Sequence, residues 1–345
     1  MKKITIFSFA GILSIALIIS TSLNAQTFRK VGSSAAQILK IGVGARALAL
    51  GGSYAGVAND ANSLYWNPAG IANLKKISWT GTYANWIADI AHQFSGVVVP
   101  VGASSAIGFS ATFVSMEQEE ITSEIQPQGT GYFWDASDLA VGISYARWMT
   151  NRFAIGMTAK FVSQKIWNET ASTFAIDIGT YLNTQYKGIV IGMCFSNFGG
   201  NLQLAGRDLI REYDYNPNNS LNDGVDTRLH TEPWPLPVNF RVGIAMDVMG
   251  QADNLIAARD SRMTIAVDGN HPNDDSEKLN FGIEYGWKET FFARFGYGLG
   301  YDLAAFSYGG GLRFQVGRTD WMFDYALAPF QKLGTIHYFT VGLDF

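Results

Sequence analysis

Leu279-Asn280-Phe281-Gly282-Ile283-Glu284-Tyr285-Gly286-Trp287 places a large apolar side chain at every second position, against Asn, Gly and Glu between them. Two is the period of a β-strand, whose successive side chains point to opposite faces. Other stretches repeat the pattern. Phe240, Val242, Ile244, Met246 and Val248 oppose Arg241, Gly243, Ala245 and Asp247. Leu139-Ala140-Val141-Gly142-Ile143-Ser144-Tyr145-Ala146, the set Trp321, Phe323, Tyr325 and Leu327, and the set Phe339, Val341, Leu343 and Phe345 follow it too. A soluble sandwich also alternates, so the second face decides. A water-facing exterior is rich in Lys and Glu. Here that face is mostly Gly, Ala, Ser and Thr, with single charges of both signs: Lys160, Asp177, Arg241, Asp247, Asp268, Glu284, Arg294, Arg313, Asp324 and Asp344. Apolar outside and polar inside is the pattern of a transmembrane β-barrel. Such strands must close on themselves, because an open edge leaves unpaired backbone groups in lipid.

Composition agrees. The 345 residues are 48% hydrophobic with a mean hydropathy of +0.06, too low for a bundle of membrane helices. Each helical span would need about 20 consecutive apolar residues. The 14% aromatic content and 37 glycines suit half-apolar strands with close backbone approaches. The net charge is −4, and no basic patch points to nucleic acid. Cys194 is the single cysteine, so no internal disulfide or thiolate metal cluster forms; as a small side chain between Met193 and Phe195 it is expected to face the lumen.

Residues 1–25 read as a secretory leader: Lys2 and Lys3, an apolar run from Ile4 to Ile19, and a small residue at Ala25 before Gln26. Removing it takes the net charge to −6.

The alternation predicts an all-β, antiparallel barrel of about 14 strands over residues 75–345, an even number as in single-chain bacterial barrels. The predicted strand centres are Trp79, Val97, Phe109, Ile143, Met157, Ile178, Ile191, Ile244, Ile265, Ile283, Phe295, Gly310, Phe323 and Val341. Connections after even strands read as tight (100–104, 149–152, 186–188, 287–290 and 317–319), with 250–261 the exception. Those after odd strands read as longer (117–137, 164–172, 199–237 and 269–278). Short turns belong to the periplasmic side and long loops to the outside, which puts both chain ends in the periplasm. Trp86, Trp148, Trp167, Trp287 and Trp321 are candidates for the interfacial girdles.

Residues 26–74 stand outside the strand pattern, and are too apolar and rich in Gly and Ala for a solvated tail. They are expected to fold into the lumen as a hatch. Asn67-Pro68 reads as a helix N-cap and first helical residue, opening a short helix to about Leu74. Within this segment, Gly42-Val43-Gly44-Ala45-Arg46-Ala47-Leu48-Ala49-Leu50-Gly51-Gly52-Ser53, Ala58-Asn59-Asp60-Ala61 and Tyr65-Trp66-Asn67-Pro68-Ala69-Gly70 together resemble the PorV/PorQ family. That family is similar in turn to FadL-type transporters of hydrophobic compounds. The resemblance implies a fourteen-stranded outer-membrane barrel with an N-terminal hatch, associated with type IX secretion. On it Gly42, Gly44, Arg46, Gly51, Gly52, Asn67 and Pro68 are the hatch residues.

Enzyme signatures are lacking. Gly42-Val43-Gly44 has Ala47 where a dinucleotide loop needs its third glycine, and no βαβ context. His92, His230, His271 and His337 are scattered, the first three in or near predicted loops, and show no metal-ligand spacing. No catalytic residue, cofactor or metal is assigned. The lumen charges read as pairs holding the hatch, with Arg46 partnering an acidic wall residue, or as the lining of a polar channel; the first reading is favoured. The 199–237 connection, with Tyr213, Tyr215 and Trp234, reads equally as a partner-binding loop or as a lid, and Tyr132, Phe133 and Trp134 supply a second wall. Phe345 closes a terminal pattern that resembles the C-terminal signal read by the barrel-assembly machinery. Two functions follow: an interaction barrel presenting its loops to cargo or secretion subunits, or a FadL-like passive importer of hydrophobic compounds. Its other surroundings are outer-membrane lipid.

Overall fold

The computed structural model describes residues 31–214, 224–250, 254–303 and 305–345. The leader and Gln26 lie outside them, as does Tyr215. Fourteen strands form one wall: β1 Ser78–Asn85, β2 Ala91–Val101, β3 Ser105–Ser115, β4 Ala136–Trp148, β5 Phe153–Ile166, β6 Glu169–Asn183, β7 Ile189–Gly199, β8 Asn239–Gly250, β9 Ser261–Pro272, β10 Lys278–Trp287, β11 Phe291–Leu299, β12 Phe306–Val316, β13 Thr319–Pro329 and β14 Thr335–Asp344. Each pairs antiparallel with its sequence neighbours. The wall closes where β1 meets β14, from Ser78 opposite Asp344 to Ala84 opposite Tyr338. All fourteen expected centres fall within these strands.

The burial pattern is that of a membrane barrel. On β10, Leu279, Phe281, Ile283, Tyr285 and Trp287 are exposed outward while Asn280 and Glu284 are buried inside. Turns at one end are tight except for the 251–260 connection: Gly102 and Gly317 adopt positive φ in two of them, and Lys288 and Glu289 do so between β10 and β11. Ile77 and Phe345 lie at this end, where the Phe345 N–H donates to the Ile77 carbonyl at 2.9 Å.

At the other end the 164–172 loop expected from the sequence is replaced by a two-residue turn, Trp167-Asn168. Strands β4, β5 and β6, at 13, 14 and 15 residues, run past it as a tall hairpin wall. Trp167 takes φ 53° there, a conformation that no local glycine signals. The long connections carry small ladders of their own. Glu119–Glu120 pairs with Phe133–Trp134, and Ile210–Tyr213 with Val225–Arg228.

Residues before β1 occupy the lumen. They form a 3-10 turn at Gln37–Lys40, α1 Ala45–Ala49, α2 Ser63–Trp66 and a second 3-10 turn at Pro68–Asn73. Val43, Leu50, Tyr54, Val57, Leu64, Trp66 and Ile71 build the apolar core together with wall residues such as Phe94, Val98 and Ala245. Two tryptophans placed in the girdles turn inward instead. The Trp148 indole donates to the Ala72 carbonyl at 2.9 Å, and Trp86 packs on Phe330 and Tyr338. Trp167 and Trp287 stay exposed on the outside. His92, expected near a loop, lies near the start of β2 with its ring fully buried.

Candidate functional site: the lumen segment and its two chambers

Arg46 projects from α1 to the wall. Its Nε donates to Glu284 Oε2 at 2.8 Å and its Nη2 to Oε1 at 3.0 Å. The third nitrogen, Nη1, donates to Asn59 Oδ1 at 2.7 Å and Asp60 Oδ2 at 3.2 Å. Glu284 also accepts from Arg294 Nε at 2.7 Å and from Arg262 Nη2 at 2.9 Å, and Arg294 continues to Asp324 at 2.6 Å. Burial, outweighing Arg46, holds the Tyr54 phenol well above its ordinary pKa, so it stays protonated and donates to Asp60. Every buried charge here has an opposite partner and hydrogen bonds, the condition under which buried ions are tolerated.

A second latch lies on β9. The Asp268 carboxylate accepts from the backbone N–H of Tyr54 at 2.9 Å and of Ala55 at 2.8 Å, and from Ser53 Oγ at 3.1 Å. Asn67 forms a third. Its Oδ1 accepts from the Ala69 N–H at 3.2 Å, capping the 3-10 turn that Pro68 opens, and its Nδ2 donates to the carbonyls of Ala55 and of Thr180 on β6 at 3.0 Å each.

Glycines on the wall admit the segment's backbone. A Cβ on Gly192 would stand 1.9 Å from the Ala55 carbonyl oxygen, one on Gly156 2.3 Å from Ala69 N, one on Gly179 2.2 Å from Asn67 Oδ1, and one on Gly296 2.0 Å from Gly51 N. Within the segment, Gly44 and Gly51 turn the chain at φ 79° and 66°. Gly42 and Gly52 lie against Trp66.

Two chambers flank the segment and share no lining residue. The one on the loop side, about 430 Å³, is mainly apolar, with Leu48, Trp66, Trp86, Phe306 and Tyr338 among its walls and Lys40, Lys160, Arg241 and Lys278 at intervals. The other, about 360 Å³ on the tight-turn side, is lined by Arg46, Asp247, Arg262, Arg313 and Asp344 among others. Lys160 is ion-paired with Asp177, and Arg241 donates to the Trp66 carbonyl while its guanidinium covers the Trp66 ring. Cys194 is buried.

The loop residues singled out lie apart from the lumen. Tyr132, Phe133, Tyr213 and Trp234 are exposed and Trp134 is half-buried. The 200–238 connection divides in two. Its root covers the mouth: Leu236 is buried beside Ile38 and Leu39, the Ala35 N–H donates to the Pro235 carbonyl at 2.9 Å, and Leu202 pairs with Trp234. Its outer hairpin, Ile210–Tyr213 with Val225–Arg228, is exposed throughout. Sequence reading missed Tyr54, Asn59, Asp60, Arg262 and the seating glycines. The Asn59-Asp60 pair in the quoted stretch is the one signal that pointed to them.

The chain is similar in fold to several solved structures. The Pseudomonas putida toluene transporter TodX is 10% identical, with 88% of this chain and 96% of that one covered at a TM-score of 0.54. The Ralstonia pickettii toluene transporter TbuX is 12% identical over 88% and 97% at 0.53, and a Pseudomonas aeruginosa FadL homologue is 12% identical over 87% and 97% at 0.51. These likenesses establish the fold. No curated protein matches the chain's sequence. The family model of the type IX secretion system protein PorV matches residues 24–267, well over half of the sequence. The chain therefore belongs to the PorV family, as an outer-membrane β-barrel of type IX secretion.

Proposed function

We propose that this barrel serves type IX secretion as an interaction component, receiving secreted cargo or partner subunits on its long loops and rim, and that those loops face outward. The observation that carries the reading is apolar surface where lipid does not reach. Ile125, Tyr132, Val225 and Tyr213 are exposed on the long loops, at 93%, 73%, 66% and 58%. Exposed apolar clusters beyond a membrane belt mark interaction sites, and aromatics are favoured anchors. The segment latched in the lumen argues against the passage of a polypeptide through the barrel. The leader and its cleavage before Gln26, and recognition of Phe345 by the barrel-assembly machinery, belong to the same reading. The test is co-purification of native outer-membrane complexes with Tyr132, Phe133 and Tyr213 replaced by Ser. Loss of partners from a normally inserted barrel supports the reading, and full recovery overturns it.

A second reading is a FadL-like importer, favoured by the apolar chamber beneath the loops. A lone barrel that carries bound lipid and alters uptake of a hydrophobic compound would establish it.

A further inference from the structure

We propose that the chamber on the tight-turn side is a binding site for a small oxyanion, a carboxylate or phosphate group, received by Arg313. Three guanidinium groups gather round one ring there. The central carbon of Arg294 stands 5.2 Å from the Phe292 centroid, and those of Arg262 and Arg313 stand 5.9 Å away. Two of the three are neutralised. Arg294 pairs with Glu284 and Asp324, and Arg262 with Glu284 and Glu289. Arg313 has no carboxylate partner among the described residues. Its Nη2 reaches only the Met322 sulfur, at 3.6 Å, and its Nε is buried without an acceptor.

Buried donors in native proteins are almost always satisfied, so an orphan in a chamber wall calls for a partner from outside the chain. The chamber supplies the room, about 360 Å³. Asp344 lines the same space but sits on β14, two strands from Arg313 on β12, and makes no pair with it. A cation would meet the unpaired guanidinium of Arg313, and an apolar group would have to desolvate Arg262, Asp247 and Asn59. An oxyanion fits the planar fork of an arginine, which presents two parallel donors. The chamber opens toward the tight turns, so this site is separate from the apolar chamber and from the loops.

The test uses the full-length barrel purified in detergent, with sodium phosphate or, in a separate arm, sodium acetate replacing sodium chloride at constant ionic strength. The reading is the temperature at which the heat-modifiable folded form is lost. A saturable upward shift with phosphate is expected, absent in Arg313→Gln. A matching shift with acetate assigns the site to carboxylates as well, and a shift with phosphate alone assigns it to the dianion. Equal shifts in the wild type and Arg313→Gln, or none with either anion, overturn the proposal. Should Arg313→Gln not insert, Arg313→Lys carries the test. It keeps the charge without the fork, and must bind phosphate at least about threefold more weakly; unchanged affinity overturns the proposal.

Discussion

Arg46 and Glu284 lie 238 residues apart in the chain and meet as a two-pronged ion pair in the lumen, Nε to Oε2 and Nη2 to Oε1. Among the described residues, Glu284 is the one acceptor shared by Arg46, Arg262 and Arg294. It therefore binds the N-terminal segment to β9, β10 and β11 at a single point. Removing one partner of such a buried set leaves uncompensated charge, at a cost of about 3–5 kcal/mol.

Glu284→Gln is expected to weaken the segment's hold more than it weakens the wall, whose backbone ladder is untouched. Limited proteolysis in detergent should cut residues 34–74 while the β-strand content by circular dichroism remains. Arg46→Lys should show a milder form of the same defect, because a lysine cannot make both bonds to one carboxylate. Protection equal to wild type in Glu284→Gln would show that the glycine seats and Asp268 hold the segment without this pair.

Gly192 and Gly310 make a matched comparison. A methyl group on Gly192 would collide with the Ala55 carbonyl, whereas one on Gly310 meets nothing closer than 3.5 Å. Gly192→Ala is expected to destabilise the folded form by about 1–3 kcal/mol, the usual cost of overpacking. Gly310→Ala should be within about 0.5 kcal/mol of wild type. The midpoint of urea unfolding in detergent checks both.

Why β10 was readable and its partner was not follows from range. The side-chain period of a strand is local, so the alternation of Leu279 to Trp287 located a strand and assigned each residue to a face. A contact such as Arg46 with Glu284 depends on how the lumen is filled, and no short window carries it. Trp148 shows the same limit. Its position near a strand end suggested the lipid interface, but the Ala72 carbonyl, which accepts its indole N–H, belongs to the lumen segment. Trp167 and Asn168 show another. The turn there forms without Gly or Pro, so the local sequence carries no turn signal and predicts a longer loop. Pro68 after Asn67 was legible because capping chemistry is itself local.

Phe345 joins the seam of the barrel. Its N–H continues the ladder to Ile77 while its side chain is exposed. Deleting it removes both the bond and the aromatic ring, and Phe345→Ala removes only the ring. Both variants are expected to reduce the heat-modifiable protein recovered from outer membranes, as a terminal aromatic read during assembly requires. Normal recovery of Phe345→Ala with poor recovery of the deletion would assign the effect to the ladder bond instead.

The long connection between β7 and β8 predicts two outcomes from two replacements. Its root is part of the lumen's cover. Leu236 is 1% exposed among Ala36, Ile38 and Leu39, and the Pro235 carbonyl accepts from Ala35. Its outer hairpin is packed differently, with all four residues of each ladder strand exposed. Replacing residues 207–228 with a short Gly/Ser linker should therefore leave the barrel inserted and the segment at 34–40 protected from protease, while partner recovery falls. Replacing 201–236 should uncover Ile38 and Leu39 as well, adding protease cleavage near residue 37 and lowering thermal stability. If the shorter replacement keeps full partner recovery and only the longer one loses it, the root or the surface it covers carries the contact, and the exposed hairpin does not.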